Sequence, residues 1–262
     1  MDVNFNVMEY VIAIASVCPM RSEPSHKSEM VSQLLLGEAG EVLDEKNEFA
    51  KIRCLYDGYE GWCANSQVAG IEDVAAVKPY TYVTTRSANA LLNGTNIPLS
   101  IATPVFAKTT AGNYIIEFEE GITTIIAPGG DNRDIFIKQL TYRYLNTPYL
   151  WGGKSSVGID CSGFTQQVFK MLGVALLRDA YQQATQGEVI NNLGEAACGD
   201  LAFFDNAEGR ITHVGILLDS ETIIHASGYV RIDKIDNEGI THSVTGKRTH
   251  KLKVVKGMPL RP

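Results

Sequence analysis

Tyr149-Leu150-Trp151-Gly152-Gly153-Lys154-Ser155-Ser156-Val157-Gly158-Ile159-Asp160-Cys161-Ser162-Gly163-Phe164 runs from aromatic residues through a glycine pair to a cysteine among small and polar neighbours. The glycine pair reads as a turn whose backbone passes close to a neighbour. Beyond Ser162 the pattern becomes helical: Phe164, Val168, Phe169 and Leu172 recur at helical spacing, and Gly173 stops the run. Cys161 therefore falls at or beside the first turn of a helix, with Asp160 or Ser162 near its cap. Unpaired N–H groups and the helix dipole favour a thiolate there, so a sulfur that is nucleophilic near neutral pH is predicted.

Such a nucleophile needs a proton acceptor and a group that orients it. Thr212-His213-Val214-Gly215-Ile216-Leu217-Leu218 and Thr222-Ile223-Ile224-His225-Ala226-Ser227 are apolar, β-prone runs around Asp219-Ser220-Glu221, and read as a hairpin. His213 and His225 are twelve residues apart, an even separation. With the turn centred near Asp219 they lie opposite each other on one face of the ladder. One ring then takes the proton of Cys161 while the other fixes it. A cysteine at a helix start is, alone, more commonly a buried small residue. The three residues together point to chemistry.

A chain of 262 residues makes one large domain or two to three small ones. Hydrophobic residues at 45% and charged residues at 20% are ordinary for a soluble globular protein. The net charge is −7 with Lys and Arg scattered, so neither a nucleic-acid nor an anionic-membrane partner is expected. Five cysteines show no metal-knuckle spacing and no compact disulfide framework. Cys18, Cys54, Cys63 and Cys198 are read as buried free thiols in a reducing compartment. No metal and no cofactor are expected. The apolar run over residues 10–17 is too short for a membrane span and lacks a good cleavage site, which favours a cytoplasmic protein, or a periplasmic or secreted one if a leader has been removed.

Three domains are expected. Residues 1–72 carry short strands and tight turns, Asp57-Gly58 among them, and read as a small β-barrel. Residues 73–130 continue β-rich, with turns at Asn93-Gly94, Ala111-Gly112-Asn113 and Glu120-Gly121, and read as a second, diverged barrel. Pro128-Gly129-Gly130-Asp131-Asn132 is the clearest linker. Residues 131–262 read as an α+β domain: a helix over 134–145, the Cys161 helix, a short helix begun by Arg178-Asp179-Ala180, a strand over 201–204, the histidine hairpin and a last strand over 251–255.

In order, Tyr149-x-Trp151-Gly152-Gly153, Asp160-Cys161-Ser162-Gly163-Phe164, Gly199-Asp200-Leu201, His213-Val214-Gly215-Ile216 and Ile224-His225-Ala226 resemble the papain-like NlpC/P60 cysteine peptidases, over about half the chain. Arg21-Ser22-Glu23-Pro24, Leu36-Gly37-Glu38 and Gly58-Tyr59-x-Gly61-Trp62 resemble a bacterial SH3-type domain, a common companion of those peptidases. The combination is similar to the γ-D-glutamyl-L-diamino-acid endopeptidases of the dipeptidyl-peptidase VI type. That resemblance implies hydrolysis of the γ-D-glutamyl bond to Lys or meso-diaminopimelate in bacterial cell-wall peptides bearing a free N-terminal L-Ala. It implies Cys161 as nucleophile, His213 as base, His225 as the ring's support and Tyr149 as a site-lining hydroxyl. It implies Glu38, Tyr59 and Asp179 as the groups for the substrate ammonium, with Asp160 and Ser162 contacting or shaping the D-Glu pocket. The family's Arg-Asp-Ser reads Arg178-Asp179-Ala180 here, so a hydroxyl near the substrate is missing. Two other readings compete: a papain-like acyl or amide transferase, and a non-catalytic murein-binding protein.

Overall fold

The structure is a computed structural model that describes residues 9–119 and 133–259. It divides into two compact units, Met1–Ile126 with Trp151–Ser156, and Ala127–Leu150 with Val157–Pro262. The expected turn at Glu120-Gly121 and the Pro128-to-Asn132 linker fall outside the described residues.

In the first unit, β1 (Tyr10–Ala13), β2 (Val17–Arg21), β3 (Met30–Leu35), β4 (Ala39–Lys46), β5 (Phe49–Cys54), β6 (Glu60–Ala64) and β7 (Val68–Ile71) form one antiparallel sheet, ordered β3-β2-β6-β5-β4-β1-β7. Along β5 the alternation is plain: Ala50, Ile52 and Cys54 are buried, while Lys51 and Arg53 reach solvent. Then come β8 (Thr81–Tyr82), β9 (Asn89–Leu92), β10 (Thr95–Pro98), β11 (Pro104–Val105), β12 (Thr109–Ala111) and β13 (Tyr114–Phe118). They form a four-stranded sheet, β10-β9-β13-β12, and a β11-β8 ladder. The turn at Asn93-Gly94 forms as expected, with both residues at positive φ. These strands do not make the separate second barrel expected for 73–130. Val83, Ala90, Phe106 and Ile116 share one buried core with Ile12, Ile14, Leu36 and Ile71. Strands of two to five residues bury too little alone and must complete their core against the first sheet.

The second unit opens with α1 (Arg133–Tyr142). The next strand, β14 (Lys154–Ser155), belongs to the first unit. After β15 (Gly158–Ile159), α2 (Cys161–Met171) and α3 (Ala180–Gln183) come β16 (Glu188–Ile190), β17 (Leu201–Asp205), β18 (Ile211–Leu217), β19 (Thr222–Ser227), β20 (Tyr229–Asp236), β21 (Gly239–Thr241) and β22 (Arg248–Gly257). The sheet runs β16-β22-β17-β18-β19-β20-β21, and β21 pairs again with β22, so the sheet closes on itself. Every residue of α2 is buried, its polar side chains included. Thr165 and Gln166 are accommodated because Thr165 bonds Gln183 at 2.7 Å and Gln166 donates to the Leu176 carbonyl at 3.0 Å. The helix packs against β18 and β19. No helix among the described residues is long and apolar enough to cross a membrane.

Candidate active site

Cys161 is the first residue of α2, and Asp160 is its cap. Asp160 Oδ1 accepts from the Gly163 N–H at 2.6 Å, the bond an N-cap carboxylate makes to the open first turn. The same carboxylate takes the Arg178 guanidinium in a two-pronged pair, at 3.1 Å to Oδ1 and 2.6 Å to Oδ2. Ser162 Oγ accepts from Arg178 at 3.0 Å and donates to Asp160 at 3.3 Å. These bonds of Asp160 and Ser162 hold the helix start. Gln183, fully buried, donates to the Ser162 and Leu177 carbonyls and ties α3 to the same place. The sequence singled out Asp160 and Ser162 but gave Arg178 no role, because the pairing spans 18 residues.

The imidazoles come from the hairpin, in a register that differs from the expected one. Ile216 pairs with Ile224 and Leu217 with Ile223, which sets the turn one residue later and places His213 and His225 diagonally on one face. Asp219 causes the shift: its Oδ1 accepts from the N–H groups of Glu221 and Thr222 and builds a three-residue turn. Gly215 opens the diagonal. A Cβ there would lie 2.9 Å from the His225 Cβ and 2.7 Å from Ile223 Cδ1. His213 Nε2 and His225 Nδ1 meet at 2.8 Å. His225 Nε2 lies 3.1 Å from Asp233 Oδ2, on β20, and Arg231 donates to that oxygen at 2.8 Å. His250 of β22 stacks on His213 with centroids 4.1 Å apart and planes 22° apart. The helix of the sulfur packs against β18 and its neighbour β19, and the Val214 N–H, one residue after His213, favours the Cys161 thiolate.

Burial opposes the expected thiolate. Burial pushes the Cys161 thiol up to about 12, the Asp160 charge adds to it, and the Val214 and Ser162 N–H groups and Arg178 offset only part. The helix-start effect is real but smaller than the cost of a charge in a site where Cys161 is 6% exposed. Burial also holds His213 well below the ordinary imidazole range, reinforced by His225, His250 and Arg231. At neutral pH the pair is therefore a thiol beside a neutral imidazole.

Tyr149 is placed by its neighbours. Its N–H donates to the Gly228 carbonyl at 2.8 Å, and it bridges to Ile159, two residues before Cys161. Burial, and then the Cys161 and Asp160 charges, push its hydroxyl up, so it remains a donor. Trp151, for which core packing is the ordinary reading, is 61% exposed and donates to Glu29 at 2.7 Å within the first unit. Gly152 fulfils the close-approach expectation: at φ +74°, a Cβ would lie 2.5 Å from the Met30 carbonyl oxygen. Asp179 caps α3, its N–H donating to Gln182 Oε1 at 3.0 Å, and Ala180 is buried behind it. Glu38 and Tyr59 belong to the first unit. Glu38 is 5% exposed, and its Oε2 accepts from the Leu35 N–H at 2.9 Å and from Lys154 Nζ at 3.3 Å. Tyr59 packs, half-buried, against the barrel core. His250, Arg231 and Asp233 escaped the sequence reading, although an Arg-x-Asp alternation on a strand beside a histidine strand is a usable signal.

Among the described residues, His213, His225 and His250 bring ring nitrogens within 4.8 Å of one another. A metal needs in-plane lone pairs that converge on one point. Here two of the nitrogens face each other in a hydrogen bond and two of the rings are stacked, which suits proton transfer instead.

A model of the NlpC/P60 family matches residues 146–249, and one of the bacterial dipeptidyl-peptidase SH3 domain matches residues 20–68. A γ-D-glutamyl-L-lysine dipeptidyl-peptidase of Bacillus subtilis is 30% identical, over 74% of this chain and 71% of its own. A protein of the same description from Bacillus cereus is 24% identical, over 86% and 77%. Dipeptidyl-peptidase 6 of Lysinibacillus sphaericus is 27% identical, over 87% and 92%. A solved NlpC/P60 family protein from Bacillus cereus superposes with a TM-score of 0.78 at 20% identity, covering 96% of this chain and all of that one, and so shares the fold.

Proposed function

The chain belongs to the NlpC/P60 family of cysteine peptidases, and from that premise we propose that it hydrolyses the γ-D-glutamyl-L-diamino-acid bond of bacterial cell-wall peptides with a free N-terminal L-Ala, on an α+β papain-like scaffold. The observation that carries this is the His213–His225 imidazole pair, 2.8 Å apart on β18 and β19, the two strands against which the helix begun by Cys161 packs. The dipeptidyl-peptidase names of the relatives, and the SH3-type domain that precedes the peptidase domain in this chain, support the substrate class.

Cys161 Sγ attacks the γ-carbonyl carbon as His213 takes its proton. The resulting oxyanion meets the backbone N–H of Cys161, free of an intrahelical partner at the helix start, and the Tyr149 hydroxyl. The imidazolium then protonates the amine of the diamino acid, the C–N bond breaks and a thioester remains. Water, deprotonated by the same ring, releases the L-Ala-γ-D-Glu product and restores the thiol. Asp160 and Ser162 shape the D-Glu pocket by fixing the helix start. Glu38, Tyr59 and Asp179 are proposed for the substrate ammonium, a charge that needs carboxylates when desolvated. All five cysteines are free thiols, which supports a cytoplasmic enzyme acting on released fragments.

Mass spectrometry of L-Ala-γ-D-Glu-L-Lys and its N-acetylated form tests the assignment. The free peptide should yield L-Ala-γ-D-Glu and lysine, and acetylation should sharply slow it. Equal cleavage of both forms would discard the amine reading, and a product retaining an added amine would favour the transferase. Cys161→Ala should remove turnover by about a million-fold, the usual worth of a nucleophile, with its circular dichroism unchanged. Persisting turnover would refute the nucleophile.

A further inference from the structure

The histidine pair does not end at His225. Asp233, 2% exposed, lies behind it on β20 and accepts three bonds: His225 Nε2 and Arg231 Nε on Oδ2, and the Ser243 N–H at 2.8 Å on Oδ1. A carboxylate with three donors around it stays ionised. Burial alone would raise Asp233, but the bonds from His225, Ser243 and Arg231 outweigh it and hold it far below the carboxylate range. An ionised carboxylate only accepts, so the proton of His225 must sit on Nε2. Burial keeps the His225 ring neutral despite Asp233, which leaves its Nδ1 a bare lone pair. That lone pair faces His213 Nε2 at 2.8 Å, so His213 Nε2 must carry the hydrogen and donate it. The remaining ring nitrogen, His213 Nδ1, then also carries no proton.

We propose that Asp233 is a positioning residue that sets the tautomer of both imidazoles through His225 and thereby leaves Nδ1 of His213 as the base for Cys161. It touches neither substrate nor sulfur in this role. The inference rests on His213 being the base, as proposed above, but concerns the resting enzyme and can be read without turnover. The groups that face the relay are His213 on β18, Arg231 on β20, His250 stacked from β22, His242 beyond β21 and Cys161 on α2. None is an anion at rest, so Asp233 supplies the negative charge that orders the protons.

Asparagine fits the space but offers one acceptor and one NH2 where Asp233 offers two acceptors. In Asp233→Asn the NH2 must face Ser243 or the Arg231 and His225 donors. Facing His225, it drives that ring's proton to Nδ1, and His213 must then protonate on its own Nδ1 and cease to be a base. The direct test is long-range 1H–15N NMR of the histidine side chains in the native enzyme at pH 7.5. It should report Nε2–H on both His213 and His225, and a spectrum with the proton on His213 Nδ1 would overturn the proposal with no variant needed. Asp233→Asn should lower kcat at least about tenfold, with KM little changed. The acid limb of kcat/KM should move to lower pH, because the carboxylate that favours the imidazolium is gone. A variant that loses thermal stability yet keeps native kcat per folded molecule and the same acid limb would show Asp233 to be merely structural. Failure of Cys161→Ala to stop turnover would sink the function proposed above without touching the tautomer result.

Discussion

Two Arg–Asp pairs stand behind the reacting groups, one behind the sulfur and one behind the imidazoles, and they use the carboxylate differently. Asp160 gives both oxygens to the Arg178 guanidinium, and Oδ1 also takes the Gly163 N–H and the Ser162 hydroxyl. Asp233 gives Arg231 a single bond and keeps the same oxygen for His225. The first pair fixes where the chain goes; the second fixes where protons go. The residues are chemically alike, so the partners decide the role.

Arg178→Met is the strongest way to break this contrast. It keeps the stem's volume but leaves Asp160 buried without its cation. Breaking a buried pair costs about 3–5 kcal/mol, so urea unfolding should register a loss of that size. In molecules that stay folded turnover should fall only a few-fold, through the D-Glu pocket that Asp160 and Ser162 shape. Were stability intact and turnover lost, the Arg178 pair would belong to the chemistry and the distinction would fail.

The same contrast explains which parts were legible in the sequence. The cap of α2 and the even spacing of His213 and His225 are local, so Cys161 and both rings were readable from pattern alone. Parity survives a shift of the turn centre by one residue, which moves the pairing by two; that is why the face was right and the register was not. What set the register was the Asp219 side chain folding onto its own turn. Arg178 was invisible because its partner lies 18 residues away, at the far end of α2. Asp233 was within reach, since β20 pairs His225 with Arg231 and the next residue but one shares that face. The resting charge of the sulfur was misread because burial of a whole helix is not a property of the helix start. The merged β core of the first unit was misread likewise: strand spacing shows strands, not which core they complete.

A second prediction sharpens the comparison at the sulfur. Burial pushes the Cys161 thiol up and the Asp160 charge adds to it, so thiolate forms only toward about pH 12. The sign is unambiguous: a raised thiol releases its proton late, and a depressed His213 does not hold one at neutral pH. Alkylation of Cys161 by iodoacetamide at pH 7 should be about a hundredfold slower than for an ordinary cysteine, whose thiol ionises near 8.5. The rate should still climb at pH 10. A plateau below pH 8 would reveal a preformed ion pair, and the general-base account would have to give way.

The smallest effect is expected at Gly215, which touches neither pair but lets the rings reach each other. It sits in an ordinary strand, not at positive φ, so the reason for glycine is space alone. An added methyl would press on the His225 Cβ at 2.9 Å and on Ile223 Cδ1 at 2.7 Å. Ile223 can yield at its flexible end, whereas His225 is held from behind by Asp233 and can move only by weakening the 2.8 Å bond to His213. Gly215→Ala should therefore fold and lower kcat by about tenfold, since small displacements of a catalytic group are costly. Combining it with Asp233→Asn separates two ways of losing the relay. If both act through the orientation of His225, the double variant should fall well short of the product of the single losses, as expected for residues that share one interaction. Fully multiplicative losses would mean that Gly215 only admits the ring and Asp233 acts elsewhere, and the imidazoles would not be the common element.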